Sequence, residues 1–290
     1  MKRLNGVWLP IVTPFSDNKI DYKSYKSLID YYTPKGITGL IPNGTTGECP
    51  TIEDYEFEEL LDKTVEFNNN RLPIYFGLGG NNTSKIVRML KVVEKYKVDG
   101  ILSASPYYSR PDQNGIFEHF KAISESTNLN IIIYNIPLRT GRNVENETLL
   151  KLAELKNMVG VKDSCGNINQ TMDLLLNRPD NFSVLTGEDI QFYLNLVLGG
   201  DGGILAAAHL ETEKFVSVKD SIDKNDHQSA LETWKSLEKF IPLLFKEPNP
   251  APIKYCLSKL GLINSAQLRL PLTEISDNLK KELDKHLQEA

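Results

Sequence analysis

The sequence predicts an α/β fold, a (β/α)8 TIM barrel with a C-terminal helical appendage, on three observations. Short apolar runs bounded by turn residues recur eight times, the stretches between them carry helical periodicity, and beyond the eighth run only helical patterns remain. Strands alternating with helices imply parallel pairing through crossovers, and eight such units are what closing a barrel requires. A length of 290 residues suits one barrel built as a single unit.

In order, the strands are expected at Gly6 to Val12, Gly39 to Asn43, Pro73 to Leu78, Asp99 to Ala104, Asn130 to Asn135, Met158 to Lys162, Phe182 to Thr186 and Gly202 to Ala206. Between them, Tyr22, Tyr25, Leu28, Ile29 and Tyr32 fall on one helical face, and Leu149, Leu152, Ala153 and Met158 do so less cleanly. Thr51 and Thr83 read as N-caps of the helices that follow them. From about residue 226 onward, helices are expected at His227 to Phe245, Ala251 to Leu260 and Asp277 to Glu289, joined by Glu247-Pro-Asn-Pro and Leu270-Pro-Leu. The expected division is a barrel over 1–225 that carries the active site and a helical region over 226–290 packed on it. A doubly wound, nucleotide-binding sheet competes with this reading. Against it, Gly77-Leu-Gly-Gly80 has Asn82 where the phosphate-binding fingerprint needs its third glycine, and no Gly-x-x-x-x-Gly-Lys-Ser/Thr run occurs.

Composition narrows the function. A formal net charge of −5 leaves no surplus of cations to track a nucleic-acid backbone. No run of about 18 apolar residues exists to span a bilayer, and no signal peptide is readable, so a cytoplasmic location without membrane partners is expected. Cys49, Cys165 and Cys256 are odd in number and far apart, which suits reduced thiols. The four histidines are scattered and form no metal-ligand spacing, so no metal is expected.

The chemistry centres on Met158-Val-Gly-Val-Lys-Asp-Ser-Cys-Gly-Asn167, a β-branched run ending in turn formers, which places Lys162 at the carboxyl end of a buried strand. Burial disfavours the ammonium form, and a neutral amine can form a Schiff base with a carbonyl substrate. Alone, the stretch reads more simply as a strand-end lysine whose head snorkels into water. The neighbouring strand ends shift that balance, because barrel active sites lie at the carboxyl ends of the strands. Gly44-Thr-Thr-Gly-Glu48 turns amides and hydroxyls toward a small anion, although Thr45 with Glu48 also matches a capping box. Tyr134, at the end of the strand before Lys162, can pass protons to a bound carbonyl oxygen, and Arg139 offers a fork for a carboxylate. Thr186-Gly-Glu-Asp189 and Ala206-Ala-Ala-His209 supply acids and methyls rather than a phosphate cradle, which disfavours phosphorylated substrates.

Gly44-Thr-Thr-Gly-Glu48, Tyr134-Asn-Ile-Pro-Leu-Arg-Thr-Gly141, Gly160-Val-Lys162 and Glu247-Pro-Asn-Pro-Ala-Pro-Ile-Lys254 together resemble the dihydrodipicolinate synthase and N-acetylneuraminate lyase family, in the family's order over essentially the whole chain. Arg139 and the Glu-Pro-Asn-Pro run look like the synthase branch. The resemblance implies a lyase-type, pyruvate-dependent aldolase of lysine and diaminopimelate biosynthesis, condensing pyruvate with L-aspartate 4-semialdehyde to 4-hydroxy-tetrahydrodipicolinate. It implies no cofactor beyond a covalent imine with pyruvate at Lys162. Thr45, Tyr134 and Tyr108 match the family's proton relay, with Tyr108 arriving from a neighbouring subunit of a homotetramer built as a dimer of dimers. Thr46 with Thr45 matches the site for the pyruvate carboxylate, Arg139 the site for the aldehyde's carboxylate, and Gly187 and Ile204 backbone positions lining the pocket. Leu138 and Cys165 stand where smaller or hydroxylic residues are frequent, which leaves a retro-aldol lyase on a 2-keto-3-deoxy sugar acid or N-acetylneuraminate as the alternative. Cys49, Pro50, Asp54, Phe57, Asn81, Lys85 and Tyr107 match the lysine-effector site of inhibited members. Lys85 puts a cation where the effector's ammonium would sit, so weak or absent lysine inhibition is expected.

Overall fold

The computed structural model describes residues 3–289. They form two compact units, one running to Gly6 and from Pro73 to Ile204, the other from Val7 to Leu72 and from Leu205 onward. Eight strands make one sheet: β1 (Gly6–Leu9), β2 (Gly39–Leu40), β3 (Tyr75–Gly77), β4 (Gly100–Ala104), β5 (Asn130–Asn135), β6 (Met158–Asp163), β7 (Ser183–Thr186) and β8 (Gly202–Ile204), in the order β2-β1-β8-β7-β6-β5-β4-β3. The fold is the expected (β/α)8 barrel with C-terminal helices.

In the first unit, β3 to β8 pair in parallel, each with the next. Such strands are apolar almost throughout because helices cover them, and Ile131, Ile132, Ile133, Val161, Val184 and Leu185 are all fully buried. The helices Thr83–Val93, Gln113–Glu125 and Asn146–Ala153 lay Leu90, Phe120, Leu149 and Leu152 into the same core. Two strand glycines make room for neighbours. A Cβ on Gly100 would lie 2.5 Å from the Tyr75 ring, and one on Gly160 would lie 2.5 Å from the Ser183 carbonyl oxygen.

In the second unit, β1 and β2 pair in parallel, and Phe15–Ser16 with Lys19–Ile20 forms a small antiparallel hairpin. Helix Tyr22–Tyr32 buries Tyr25, Leu28, Ile29 and Tyr32, the face its periodicity predicts, and Asp21 caps it by accepting the Ser24 amide at 3.0 Å. Tyr32 Oη donates to the His209 carbonyl at 2.6 Å. The C-terminal helices are His227–Glu238, Ala251–Lys259 and Asp277–Glu289.

Where boundaries differ from expectation, a local cause is visible. β1 ends at Leu9 rather than Val12 because Pro10 has no amide to donate, and the Val12 amide bonds His209 Nε2 instead. β2 stops at Leu40, short of Pro42 and of Asn43, whose φ is 54°. Met158 opens β6 instead of closing the preceding helix. The helix after Thr83 is capped one residue earlier, by Asn82, and the helix expected to start at Thr51 starts at Asp54 with a Glu53/Glu56 capping box. His227 to Phe245 breaks at Glu238 into a 3-10 turn, Ile241–Phe245, that contains Pro242.

Two buried histidines are held neutral. His209 Nδ1 donates to the Ala206 carbonyl at 2.8 Å while Nε2 accepts the Val12 amide at 3.2 Å, a pairing only a neutral ring satisfies. Burial pulls both His209 and His119 down to about 4. Their folded pKa lies below the unfolded value, so acid favours the unfolded chain, and the stability is complete above the ordinary histidine range and lost as pH falls toward 4. Each contributes at most about 3 kcal/mol to that loss. Urea midpoints measured from pH 7 to pH 4 are expected to fall less steeply in His119→Asn than in the native chain, and equal slopes would refute the assignment.

Candidate active site

The Lys162 amine of the first unit is placed by strand register. Tyr134 pairs with Lys162 across β5 and β6, Ala104 pairs with Tyr134, and Lys162 pairs with Leu185, so these four share one face of the sheet. Ile204, one residue past the Gly203–Thr186 pair, falls on that face too and is fully buried. Lys162 is 6% exposed, and its Nζ lies 4.3 Å from the centroid of the Tyr134 ring. Among the described residues no carboxylate is hydrogen-bonded to it. Asp163, next in the chain, points to the opposite face, where it accepts the Thr171 hydroxyl at 2.6 Å and the Cys165 amide at 3.1 Å.

Gly187 closes in on the lysine. Its amide donates to the Asp163 carbonyl at 2.7 Å, and a Cβ there would stand 2.5 Å from Lys162 Cε and 2.2 Å from Ser164 Oγ. Glu188 follows, half-buried. Burial pushes its carboxyl above the ordinary range, against the pull of Lys162, Ser164 and Arg139. The sequence reading takes Glu188 only as an acid that argues against phosphate. The stronger signal is its place, one residue beyond a glycine at the carboxyl end of β7.

Arg139 sits exposed on the short helix Pro137–Thr140, capped by Gly141 at φ 72°. Arg110 Nε donates to the Gly141 carbonyl at 2.8 Å, tying the loop after β4 to this helix. In that loop Tyr108 and Arg110 have φ of 68° and 49°, a left-handed backbone that costs about 1–2 kcal/mol per non-glycine residue. The strained turn holds Tyr108 90% exposed.

The second unit carries the Asn43 to Glu48 turn. Glu48 N–H donates to Thr45 O at 3.0 Å and Cys49 N–H to Gly44 O at 3.2 Å, bonds that leave the Thr45 and Thr46 amides unused by the turn itself. Thr46 is buried, and its Oγ1 accepts Asn249 Nδ2 at 3.0 Å. The capping-box reading fails, since the Glu48 carboxylate turns to Lys254 Nζ at 2.5 Å and the Arg269 amide at 3.1 Å. Among the described residues no group of three His, Cys, Asp or Glu side chains is placed to hold a metal ion, and no helix is long and apolar enough to cross a membrane.

Residues 3–290 match the model of the dihydrodipicolinate synthetase family. The chain belongs to that family. It is 60% identical over 285 residues, 98% of this chain and 100% of the other, to 4-hydroxy-tetrahydrodipicolinate synthase 2 of Clostridium acetobutylicum. The crystal structure of dihydrodipicolinate synthase from Thermotoga maritima superposes with a TM-score of 0.96 at 36% identity, covering 98% of each chain. The chloride-inhibited enzyme of Acinetobacter baumannii, complexed with pyruvate, does so with 0.94 at 32%, again covering 98% of each.

Of the positions that depart from the synthase branch, Leu138 is 91% exposed on the Arg139 helix. Burial and the neighbouring Asp163 push the Cys165 thiol up to about 11, which leaves it unreactive near neutrality. A side chain on Gly187 would overlap the Lys162 stem. Gly187→Ala is expected to displace the Lys162 side chain and reduce kcat by at least about 100-fold, as a misplacement near 1 Å does, while the thermal midpoint changes little. Activity within a few-fold of native would refute it.

Proposed function

We propose that this chain condenses pyruvate with L-aspartate 4-semialdehyde to 4-hydroxy-tetrahydrodipicolinate. The observation that carries the reading is a buried lysine, without a hydrogen-bonded carboxylate and with a tyrosine ring 4.3 Å away, in a chain 60% identical to a synthase of that name. Lys162 attacks the pyruvate ketone and water leaves as the imine forms. Loss of a methyl proton gives an enamine, whose carbon adds to the aldehyde. The substrate's own amino group then attacks the imine carbon, closing the ring and releasing the lysine amine.

Tyr134, Thr45 and Tyr108 move the protons, the amides of Thr45 and Thr46 hold the pyruvate carboxylate, and Arg139 holds the carboxylate of the semialdehyde. Gly187 and Ile204 line the site with backbone. Thr45 and Thr46 belong to the second unit, and the family resemblance supports their part. The imine replaces any cofactor or metal. Residues 1–225 carry the reaction and 226–290 support it. Tyr108, held in solvent by strained backbone, is placed as a side chain donated to a neighbouring subunit would be, which supports the dimer as the smallest active unit of a homotetramer. A cytoplasmic location fits this role.

Borohydride added with pyruvate is expected to attach one reduced three-carbon adduct at Lys162, detectable by peptide mass, and none in Lys162→Ala. An unmodified Lys162 alongside full turnover would sink the reading. A coupled assay with the semialdehyde and a reductase, run beside 2-keto-3-deoxygluconate and N-acetylneuraminate, is expected to give turnover only with the first. Lys85 lies exposed in the first turn of helix Thr83–Val93. Its charge repels a lysine effector's ammonium, so millimolar lysine is expected to inhibit weakly or not at all, and a clear inhibition curve would overturn this.

A further inference from the structure

Lys254 is the most completely buried cation of the second unit, 0% exposed, and it lies in a helix of the C-terminal region. Its Nζ donates to Glu48 Oε1 at 2.5 Å and to the Gln267 carbonyl at 2.9 Å, and it stands 4.1 Å from the centroid of the Phe15 ring. The other Glu48 oxygen accepts the Arg269 amide at 3.1 Å. Arg269 stacks on the same Phe15 ring at 4.2 Å and forks onto Glu56 at 2.5 and 2.6 Å. Two cations and two carboxylates thus neutralise one another inside the protein.

A buried ion pair is a poor source of net stability, because desolvation consumes most of the attraction, but it is a stringent source of geometry. Here the geometry is that of the turn. Glu48 adopts φ 55°, a left-handed conformation that a non-glycine residue holds only when its surroundings impose it. The remaining turn residues are gripped as well. Asn249, five residues before Lys254 in the same Pro-rich run, bonds Thr46 Oγ1 at 3.0 Å, and Thr13 Oγ1 bonds the Gly47 carbonyl at 2.8 Å. A Cβ on Gly47 would meet the Asn43 amide nitrogen at 3.1 Å, so the turn has no slack on that side.

We infer that the Lys254–Glu48 pair, with Asn249, is a positioning device that fixes the Thr45–Thr46 turn and thereby sets affinity for the carboxylate of the keto acid. These residues are positioning residues and take no part in bond making. The inference rests on the proposed role of that turn in holding pyruvate.

The test reads the pyruvate concentration that gives half-maximal borohydride trapping at Lys162, together with the maximal extent of trapping. It compares the native chain, Lys254→Met, Glu48→Gln/Lys254→Met and Asn249→Ala. Lys254→Met strands a buried carboxylate and is expected to raise the half-saturating concentration by about tenfold or more, with the maximal extent unchanged. The double variant strands no charge but lacks the brace, and is expected to stay at least about threefold above native. Asn249→Ala creates no unpaired charge and is expected to raise the concentration severalfold, so it carries the test if Lys254→Met does not fold. Unchanged half-saturation in Lys254→Met and Asn249→Ala, or a double variant at the native value, overturns the inference. A native chain that traps no pyruvate at any concentration overturns instead the proposed function on which it rests.

Discussion

The pleat of one strand governs this molecule. Lys162 and Asp163 are neighbours in sequence and carry groups of opposite sign. In β6 successive side chains leave opposite faces, so the lysine goes to the face of Tyr134 and Leu185 while the aspartate goes to Thr171 and Cys165. A slip of one residue would exchange them. The register is secured by close contact: Gly160 sits against Ser183 and Gly187 against the lysine stem, and neither position has room for a methyl group.

Two of the buried lysines, Lys162 and Lys254, show how differently one residue type can be used. Each lies near an aromatic ring, Lys162 at 4.3 Å from Tyr134 and Lys254 at 4.1 Å from Phe15. Lys254 has a carboxylate at 2.5 Å, and although burial draws it down to about 8, Glu48 pulls the other way. Among the described residues Lys162 has no hydrogen-bonded carboxylate, and it draws on the half-buried Glu188 from a distance. The paired lysine braces a turn, and the other faces the Tyr134 ring without a hydrogen-bonded carboxylate. Burial alone does not distinguish these roles; the partner does.

How much of this was legible in the sequence depended on the range of each interaction. The eight strands, the helical face of Tyr22 to Tyr32 and the place of Lys162 follow from local pattern, and the structure has them. Strand and helix ends were overrun at Pro10, Pro42 and Pro242, where the missing amide was visible but the apolar run was allowed to outweigh it. The capping box that Glu48 also matched fails because its partner lies 206 residues further on, beyond the reach of any spacing rule. Glu188 was seen without its neighbours, since proximity to Lys162 arises from the pairing of β6 with β7 and not from the chain around it. Motif resemblance bridged part of that gap by naming positions without showing what holds them.

The loop after β4 has a consequence of a different kind. Tyr108 is presented by backbone already in a costly conformation and anchored through Arg110 to the Gly141 carbonyl, so the ring has no cheap way to fold back onto its own chain. A solitary molecule therefore shows an apolar disc to water at all times. A single ring is too small to make the surface sticky, but an approaching surface meets it already ordered, so little side-chain freedom remains to be lost on contact.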